Sequence, residues 1–160
     1  MIEENERLPE ATLLRAGPDG TEEVHLSGLT SGRRVVLFGV PGAFTPTCDS
    51  AHMPGFIQLA ETMRQRGIDS IGCVSVNDAH VMRRWGEATG AHEAGIIMLA
   101  DPLAAYTKAL GLSYSNPAAG MYDRSRRYAM IVEDGVIEKL RLEEKGQCTI
   151  SKGEDILDLI

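Results

Sequence analysis

The sequence predicts one three-layer α/β domain in which a mixed central sheet is flanked by helices. Apolar runs of strand length alternate with segments of helical periodicity along the 160 residues. Near the end of the chain, two strand-like runs are joined by Glu-Asp-Gly, which adds an antiparallel pair to the sheet. A chain of this length, 43% hydrophobic, can bury a core without disulfides. We therefore assign residues 1–160 to a single domain.

The N-terminal part of the chain alternates between strand and helix patterns. Short strands at residues 11–15 and 23–26 flank the turn sequence GPDG. The run RRVVLFGV is apolar and β-branched, which is typical of a strand buried on both faces. Apolar residues then follow helical spacing from about Cys48 to Arg66, and Gly67 ends this helix.

The remainder of the chain continues the alternation. IDSIGCVSV is a second buried strand, and Asn77–Asp78 caps a helix that reaches about Thr89. A third strand is predicted at GIIMLADP, and a short helix follows at residues 103–110. The run RRYAMIVEDGVIEKLRLE predicts a hairpin, and a terminal helix is predicted to start at Ser151. This β-α-β-α-β-α-β-β-α order suits a thioredoxin-like sheet better than a fully parallel Rossmann sheet, although the order alone permits both.

Composition narrows the function classes. A net charge of −7 and a pI near 5.1 argue against a nucleic-acid partner, which would favour a basic surface. We find neither a signal-peptide pattern at the N-terminus nor an apolar run long enough for a membrane helix. Three widely spaced cysteines, Cys48, Cys73 and Cys148, do not form a disulfide framework. These features predict a protein of the reducing cytoplasm.

Cys48 stands where a strand gives way to a helix, in the sequence LFGVPGAFTPTC. Proline is tolerated in a first helical turn, so Pro46 allows the helix to begin here. A cysteine in a first turn meets unpaired N–H groups and the positive end of the helix dipole, and both favour the thiolate. The alternative is a buried structural cysteine. The surrounding glycines, prolines and hydroxyls favour the reactive interpretation.

Other side chains near Cys48 are candidates for the same site. The Thr45 hydroxyl can turn toward the sulfur or a bound oxygen, or it can cap the helix. Pro41 and Gly42 shape the loop so that backbone can approach a small ligand. His52 lies one helical turn beyond Cys48, where packing or hydrogen bonding is favoured over contact with the thiolate or a metal.

Arginines in the sequence RSRRY precede the first strand of the predicted hairpin. Alternation along a strand places Arg126 and Arg127 on opposite sides of the sheet, so one of them can lie near the cysteine. From the residues alone, a solvated edge is the favoured interpretation for this cluster, which also contains Arg124.

Together, VLFGVPGAFTPTC, HMPGF, SVNDAHVM, LADP and RSRRYAMIVEDGV resemble the peroxiredoxin-5, or type II (atypical), branch of the peroxiredoxins. The resemblance extends from about Leu8 to the last helix and centres on Pro41-x-x-x-Thr45-x-x-Cys48. It implies a homodimeric thiol peroxidase that reduces hydrogen peroxide and alkyl hydroperoxides on a thioredoxin-like fold. It further implies that Cys48 attacks the peroxide, that Thr45 and Arg127 bind it, and that Pro41 shields the pocket.

The resemblance implies no metal, flavin or nicotinamide cofactor. The sulfenic acid would be reduced by an external thiol, either glutathione with glutaredoxin or thioredoxin. Two cysteines are candidates for an internal resolving role. Cys73 is the less accessible, because a helix of about 27 Å followed by a returning strand of about 17 Å leaves it on the order of 10 Å deeper than Cys48. Cys148 lies in the polar loop EEKGQCTIS, about two residues before the position of the resolving cysteine in mammalian-type relatives. The external thiol is favoured over both.

Two other function classes are weighed against the peroxidase. A metal-binding domain would use Cys48 and His52 with His80 or His92, but it lacks a second closely spaced ligand pair. A redox sensor or holdase-type interaction protein would use Cys48 as a switch, and only catalytic consumption of peroxide separates it from an enzyme. A dithiol oxidoreductase is disfavoured because the chain has no Cys-x-x-Cys sequence.

Overall fold

The computed structural model describes residues 1–46, 51–144 and 146–160. In this part of the chain the strands are β1 (Thr12–Gly17), β2 (Gly20–His25), β3 (Arg34–Val40), β4 (Ser70–Ser75), β5 (Ile97–Ala100), β6 (Ser113–Asn116), β7 (Met121–Ser125), β8 (Tyr128–Glu133) and β9 (Val136–Leu142). The helices are α1 (Leu26–Thr30), α2 (Met53–Gln65), α3 (Ala79–Thr89), α4 (Ala105–Ala109) and α5 (Gly153–Leu157).

Seven strands form one mixed sheet in the order β2-β1-β5-β4-β3-β8-β9. β3, β4 and β5 are parallel, whereas β8 is antiparallel to both β3 and β9, and β1 is antiparallel to both β2 and β5. This arrangement confirms the predicted thioredoxin-like fold and the antiparallel pair at the edge. The predicted hairpin closes through Asp134 and Gly135, whose φ angles of 48° and 79° are those of a tight two-residue turn.

Both faces of the central sheet are covered, as the apolar run of β3 predicts. Alternate residues of β3 enter two separate cores: Val36 and Phe38 pack with α2, α3 and α5, and Val35 and Leu37 pack with α1 and α4. All four of these side chains are fully buried. The protein is therefore a three-layer sandwich with the parallel strands at its centre.

Two elements were not predicted from the sequence. The helix α1 has only five residues and contains Gly28, so its helical pattern is too short to recognise. The hairpin of β6 and β7 forms a separate two-stranded sheet joined by a 3₁₀ turn at Pro117–Ala119. Its strands show no apolar alternation because most of their residues are exposed or half-buried.

Helix boundaries agree with the predicted signals where those signals are local. Asp78 caps α3 by accepting a hydrogen bond from Val81 N at 2.8 Å. α2 ends at Gln65, two residues before Gly67, which has a φ of +99°. The predicted start of α2 at Cys48 lies outside the described residues. His52, just before Met53, already has helical backbone angles.

Candidate active site

The ends of three neighbouring strands lie together at one edge of the molecule. The parallel strands β3 and β4 both end there, and β8 begins there because it runs antiparallel to β3. The register pairs Gly39 with both Val74 and Tyr128. The loop after β3 and the residue before β8 are therefore held side by side by the sheet, although they are far apart in the sequence. These are the segments that contain the predicted site residues Pro41, Thr45 and Arg127.

The loop that follows β3 is anchored by Asn77. The side-chain oxygen Oδ1 of Asn77 accepts hydrogen bonds from Ala43 N at 3.0 Å and from Ser75 Oγ at 2.6 Å. Within the loop, Thr45 Oγ1 donates to the Gly42 carbonyl at 2.7 Å. The Thr45 hydroxyl oxygen keeps acceptor capacity when its proton is used in this way.

Gly42 is closely packed against neighbouring side chains. A Cβ atom at this position would lie 2.9 Å from Arg124 Nη1 and 3.1 Å from Thr45 Cγ2. Arg124 reaches into the loop to donate to the Pro41 carbonyl at 3.3 Å. The side chain of Met121 lies 3.9 Å from the same Cβ position. That Gly42 lets backbone approach a ligand stays a prediction.

Cys48, the predicted peroxidatic cysteine, lies outside the described residues. Thr47, Asp49 and Ser50 also lie outside them. The described chain reaches Pro46 on one side of Cys48 and resumes at Ala51 on the other. The geometry of the site is therefore that of the groups on either side of the cysteine.

Arg127 lies in a cleft of about 260 Å³ whose lining includes Pro41, Tyr114, Ser115, Arg126, Arg127 and Glu143. The Arg127 side chain is largely buried, since the residue is 8% exposed. Pro41 and Arg127 are thus brought together as predicted. A buried guanidinium is a fixed positive charge with several donors, which suits the binding of a polar oxygen.

Arg126 and Arg127 line the same cleft, in contrast to the opposite orientations predicted from strand alternation. β7 ends at Ser125 and β8 begins at Tyr128, so both arginines lie in the link between strands, where alternation does not apply. Arg126 donates to the Glu143 carbonyl at 3.1 Å. Arg124 and Arg126 are half-buried supports of the site rather than a solvated edge.

His52 orients the guanidinium of Arg127. Its ring is fully buried and makes edge-on contacts with Phe38 and Phe56, at centroid distances of 5.3 and 5.4 Å. Arg127 Nη1 donates to His52 Nδ1 at 3.0 Å, and His52 Nε2 donates to the Ser151 carbonyl at 2.9 Å. Burial, and after it the charge of Arg127, lowers the pKa of His52 to about 3. The imidazole is therefore neutral, and its Nδ1 accepts a hydrogen bond from Arg127.

The other two cysteines have different surroundings. Cys73 is fully buried in β4, where it pairs with Phe38 of β3 and Met98 of β5. Cys148 is half-buried, and burial raises the pKa of its thiol although the charge of Arg127 acts in the opposite direction. Cys148 thus lies within electrostatic reach of the arginine in the cleft.

The described residues contain no group of three or more potential metal ligands. The ring nitrogens of His52 both have protein partners, while His80 and His92 are exposed. None of the helices described combines the length and apolarity needed to cross a bilayer.

Three features define a thiol-dependent peroxidase: the mixed thioredoxin-like sheet, the sequence Pro-x-x-x-Thr-x-x-Cys after β3, and a buried arginine in the cleft beside Pro41. The Redoxin family model matches residues 3–157. The chain belongs to the peroxiredoxins within this family. It is 47% identical to the chloroplastic peroxiredoxin-2E-2 of Oryza sativa, over 95% of this chain and 69% of that protein. It is 42% identical to the chloroplastic peroxiredoxin-2E of Arabidopsis thaliana, over 98% of this chain and 68% of that protein.

Solved structures of peroxiredoxins also match this chain. Reduced Prx3 of Vibrio vulnificus in complex with H₂O₂ has a TM-score of 0.94 at 46% identity, with 99% of each chain covered. Peroxiredoxin 5 of Alvinella pompejana has a TM-score of 0.85 at 29% identity, with 98% of this chain and 96% of that chain covered. The resemblance to peroxiredoxin-5 predicted from the sequence is confirmed, and the protein is a thiol peroxidase by family.

The prediction of a cytoplasmic location is wrong. The relatives from rice and Arabidopsis, at 47% and 42% identity, are chloroplastic proteins. Cysteine number and spacing indicate a reducing environment, but they do not identify the compartment that provides it.

Three residues of the site were missed or under-used in the sequence interpretation. The sequence predicts that Asn77–Asp78 caps α3; Asp78 provides this cap, while Asn77 holds the loop after β3. Glu143 carries no local signal, because its contacts depend on the tertiary fold. Ser151 is predicted to start the terminal helix, but α5 begins at Gly153 after Lys152, and Ser151 instead contacts His52 and Glu143. The pair Asn-Asp directly after a buried strand was the one available indication, since a helix needs only one cap.

Proposed function

We propose that this chain reduces hydrogen peroxide and alkyl hydroperoxides through a sulfenic acid on Cys48. The Cys48 thiolate attacks the terminal peroxide oxygen, and the O–O bond breaks. The sulfur is oxidised by two electrons, the peroxide is reduced by two, and the departing oxide takes a proton to leave as water or an alcohol. The observation that carries this proposal is Arg127, a buried cation in the cleft beside Pro41, held there by a neutral His52.

Arg127 and Thr45 supply the polar contacts of this mechanism. The guanidinium of Arg127 stabilises negative charge on the leaving oxygen, because donors fixed in a buried site lose little energy to reorganisation. The Thr45 hydroxyl can accept a hydrogen bond from the peroxide while it donates a hydrogen bond to the Gly42 carbonyl. Pro41 covers one side of the cleft, and Gly42 lets Arg124 and Thr45 pack against the loop.

An external thiol is our proposed reductant, either glutathione with glutaredoxin or thioredoxin. One thiol attacks the sulfenic acid to give a mixed disulfide and water, and a second thiol releases Cys48. Cys148 is the second candidate, because it is half-buried and lies within electrostatic reach of Arg127. Cys73 is disfavoured, because a fully buried position in β4 requires the sheet to open before a disulfide can form.

Intact mass after one equivalent of hydrogen peroxide tests the cycle. The reduced protein is analysed with and without a dimedone-type trap and then mapped by peptides, with Cys48→Ser as the control. We expect one added oxygen, or a trapped adduct, on Cys48 alone. Loss of two hydrogens mapped to Cys48–Cys148 or Cys48–Cys73 would assign an internal resolving cysteine instead. An unchanged mass in the wild type would contradict the proposed function.

Turnover separates an enzyme from a redox switch. With excess peroxide and a reductant, the wild type is expected to consume many equivalents of peroxide per chain. Arg127→Lys keeps the charge but loses the forked donors, and we expect the rate to fall by about 10²–10³. A protein that stops after one equivalent under these conditions is a sensor and not a peroxidase.

We further propose a homodimer that forms through the end of the molecule bearing the cleft. Phe44 and Tyr122 are large and exposed, at 53% and 62%, and belong to the loop after β3 and to β7. The bond from Arg124 to the Pro41 carbonyl holds these two segments together. Sedimentation of the wild type and of Phe44→Ser/Tyr122→Ser tests the assembly. A dimer that persists in the double variant would place the interface elsewhere.

A further inference from the structure

The carboxylate of Glu143 holds a segment of chain behind the cleft. Glu143 directly follows β9 and is buried, with 2% of its surface exposed. Its oxygen Oε1 accepts hydrogen bonds from three successive backbone amides: Thr149 at 2.7 Å, Ile150 at 2.6 Å and Ser151 at 2.8 Å. The hydroxyls of Ser151 and Thr149 also donate to the carboxylate, at 2.9 and 3.2 Å. One side chain therefore fixes the backbone of residues 149–151.

The segment held by Glu143 determines the state of His52. The Ser151 carbonyl lies 2.9 Å from His52 Nε2. A carbonyl oxygen can only accept, so Nε2 must carry the ring proton of the neutral imidazole. The other nitrogen, Nδ1, is then an acceptor, and it lies 3.0 Å from Arg127 Nη1. The tautomer that Ser151 selects is the one that can receive a hydrogen bond from Arg127.

The backbone of Glu143 is tied to the same arginine. Glu143 N donates to the Arg127 carbonyl at 3.0 Å, which extends the pairing of β9 with β8 by one step. Glu143 thus contacts the main chain of Arg127 directly and reaches its guanidinium through Ser151 and His52. Each residue in this series is buried, and a hydrogen bond is electrostatically stronger in such surroundings than in water.

We propose that Glu143 is a positioning residue for the peroxidase reaction, which aims the guanidinium of Arg127 by fixing the Ser151 carbonyl and through it the tautomer and orientation of His52. This inference rests on the proposed function. Its effect on rate arises because small displacements of a group that stabilises charge are costly. Glu143 remains ionised at neutral pH: burial raises the pKa of its carboxyl, but the donors from Ile150, Ser151 and Thr149 outweigh burial and bring the pKa below its usual value.

The alternative is that Glu143 only stabilises the chain before α5. In that case its removal would lower thermal stability and leave His52 and the peroxide reaction unchanged. A variant series separates the two roles. Glu143→Ala removes all acceptors, and Glu143→Asp withdraws the carboxylate from the segment. Glu143→Gln keeps the length and one carbonyl oxygen, with its amide facing Thr149. Glu93→Ala is the control, because Glu93 is exposed and lies in the turn before β5.

The first readout is the tautomer of His52 by ¹⁵N NMR at pH 7, with the signal assigned among the four histidines by His52→Gln. The second is the rate constant for oxidation by hydrogen peroxide, together with the thermal midpoint. In Glu143→Ala and Glu143→Asp we expect a loss of the pure Nε2–H tautomer and a fall in rate of about tenfold to a hundredfold. Glu143→Gln is expected to keep the tautomer and to remain within about threefold of the wild-type rate.

An unchanged tautomer and rate in a folded Glu143→Ala, or a lower thermal midpoint alone, would overturn the proposal. If Glu143→Ala does not fold, the comparison of Glu143→Asp with Glu143→Gln decides the question. The same His52 tautomer and the same oxidation rate in these two variants would also overturn the proposal. The NMR readout is independent of activity. A wild type that shows the Nε2–H tautomer, lost in Glu143→Ala, but that consumes no peroxide would contradict the proposed function and leave the positioning of His52 standing.

Discussion

Asn77 Oδ1 accepts a hydrogen bond from Ala43 N at 3.0 Å, and this contact links the end of β4 to the loop that follows β3. We expect Asn77→Ala to reduce the second-order rate with hydrogen peroxide by about tenfold, because the loop leading to Cys48 loses its anchor. Asn77→Asp retains an oxygen acceptor for Ala43 and Ser75 and should be less affected. Stopped-flow measurement of peroxide oxidation checks both variants. Equal rates in Asn77→Ala and the wild type would show that the loop is held by other contacts.

Gly42 and Gly28 provide a matched pair of glycine-to-alanine changes. A Cβ at Gly42 would displace Arg124 or Thr45, whereas a Cβ at Gly28 would have no atom within 4 Å. We expect Gly42→Ala to lower the free energy of unfolding by about 1–3 kcal/mol and to reduce peroxidase turnover. Gly28→Ala should leave turnover unchanged and stabilise α1 by up to about 1 kcal/mol. Urea unfolding and a peroxide assay measure these effects. Equal stability of the two variants would contradict the packing described around Gly42.

His52 makes stability depend on pH. Its pKa is lowered to about 3 in the folded protein, compared with 6.5 for an ordinary histidine, so between these values the unfolded chain binds the additional proton. Stability attributable to His52 is therefore complete above pH 6.5 and is lost as the pH falls toward 3. The loss between pH 6.5 and 5 is about 2 kcal/mol.

Urea unfolding at pH 6.5 and pH 5 measures this loss. Most carboxylates stay ionised over this interval, so the change is dominated by histidine. In His52→Gln, the free energy of unfolding should change less between pH 6.5 and pH 5 than in the wild type, by about the same 2 kcal/mol. His80→Gln serves as the control, because His80 is exposed and should retain the wild-type difference. An identical pH dependence in wild type and His52→Gln would show that His52 is not held neutral by the fold.

Cys148 should react more slowly than an unfolded cysteine. Burial raises the pKa of its thiol, and the negative charge of Glu143 acts in the same direction, against the opposing charge of Arg127. The alkylation rate of Cys148 in Cys48→Ser, followed against pH, should have its midpoint above that of the same chain in urea. A midpoint at or below the unfolded value would mean that Arg127 dominates and that Cys148 is activated for resolution.

The fold could be predicted from the sequence where burial is two-sided or where a signal is local. The run containing Val35 to Val40 shows β3 directly, and Asp134–Gly135 shows the hairpin, because each pattern is complete within a few residues. The hairpin of β6 and β7 could not be found in this way. Its residues are mostly exposed, so no apolar periodicity marks it, and its bulge near Tyr114 interrupts the register.

The site was only partly accessible from the sequence, for a related physical reason. Pro41, Thr45 and Arg127 belong to a motif and its neighbourhood, and the resemblance identified them. Glu143 accepts hydrogen bonds from backbone amides 6–8 residues later, and one of these residues, Ser151, contacts a histidine that is 99 residues away from Ser151. Hydrogen bonds of this kind depend on the tertiary fold, and no spacing rule predicts them.

The antiparallel register of β3 and β8 limits how this protein can be altered by insertion. Gly39 pairs with Tyr128, so Arg127 is placed opposite the end of β3 by counting residues along two strands. A single residue added within β8 would turn every later side chain to the other core, and a pair would shift the strand by about 7 Å. The hairpin of β6 and β7 lies outside the main sheet, so its turn at Pro117–Ala119 can change length without disturbing that count. Sequence length in this protein can therefore vary at the turn of the hairpin, whereas it is fixed in β8 and in β7, where Arg124 contacts Pro41.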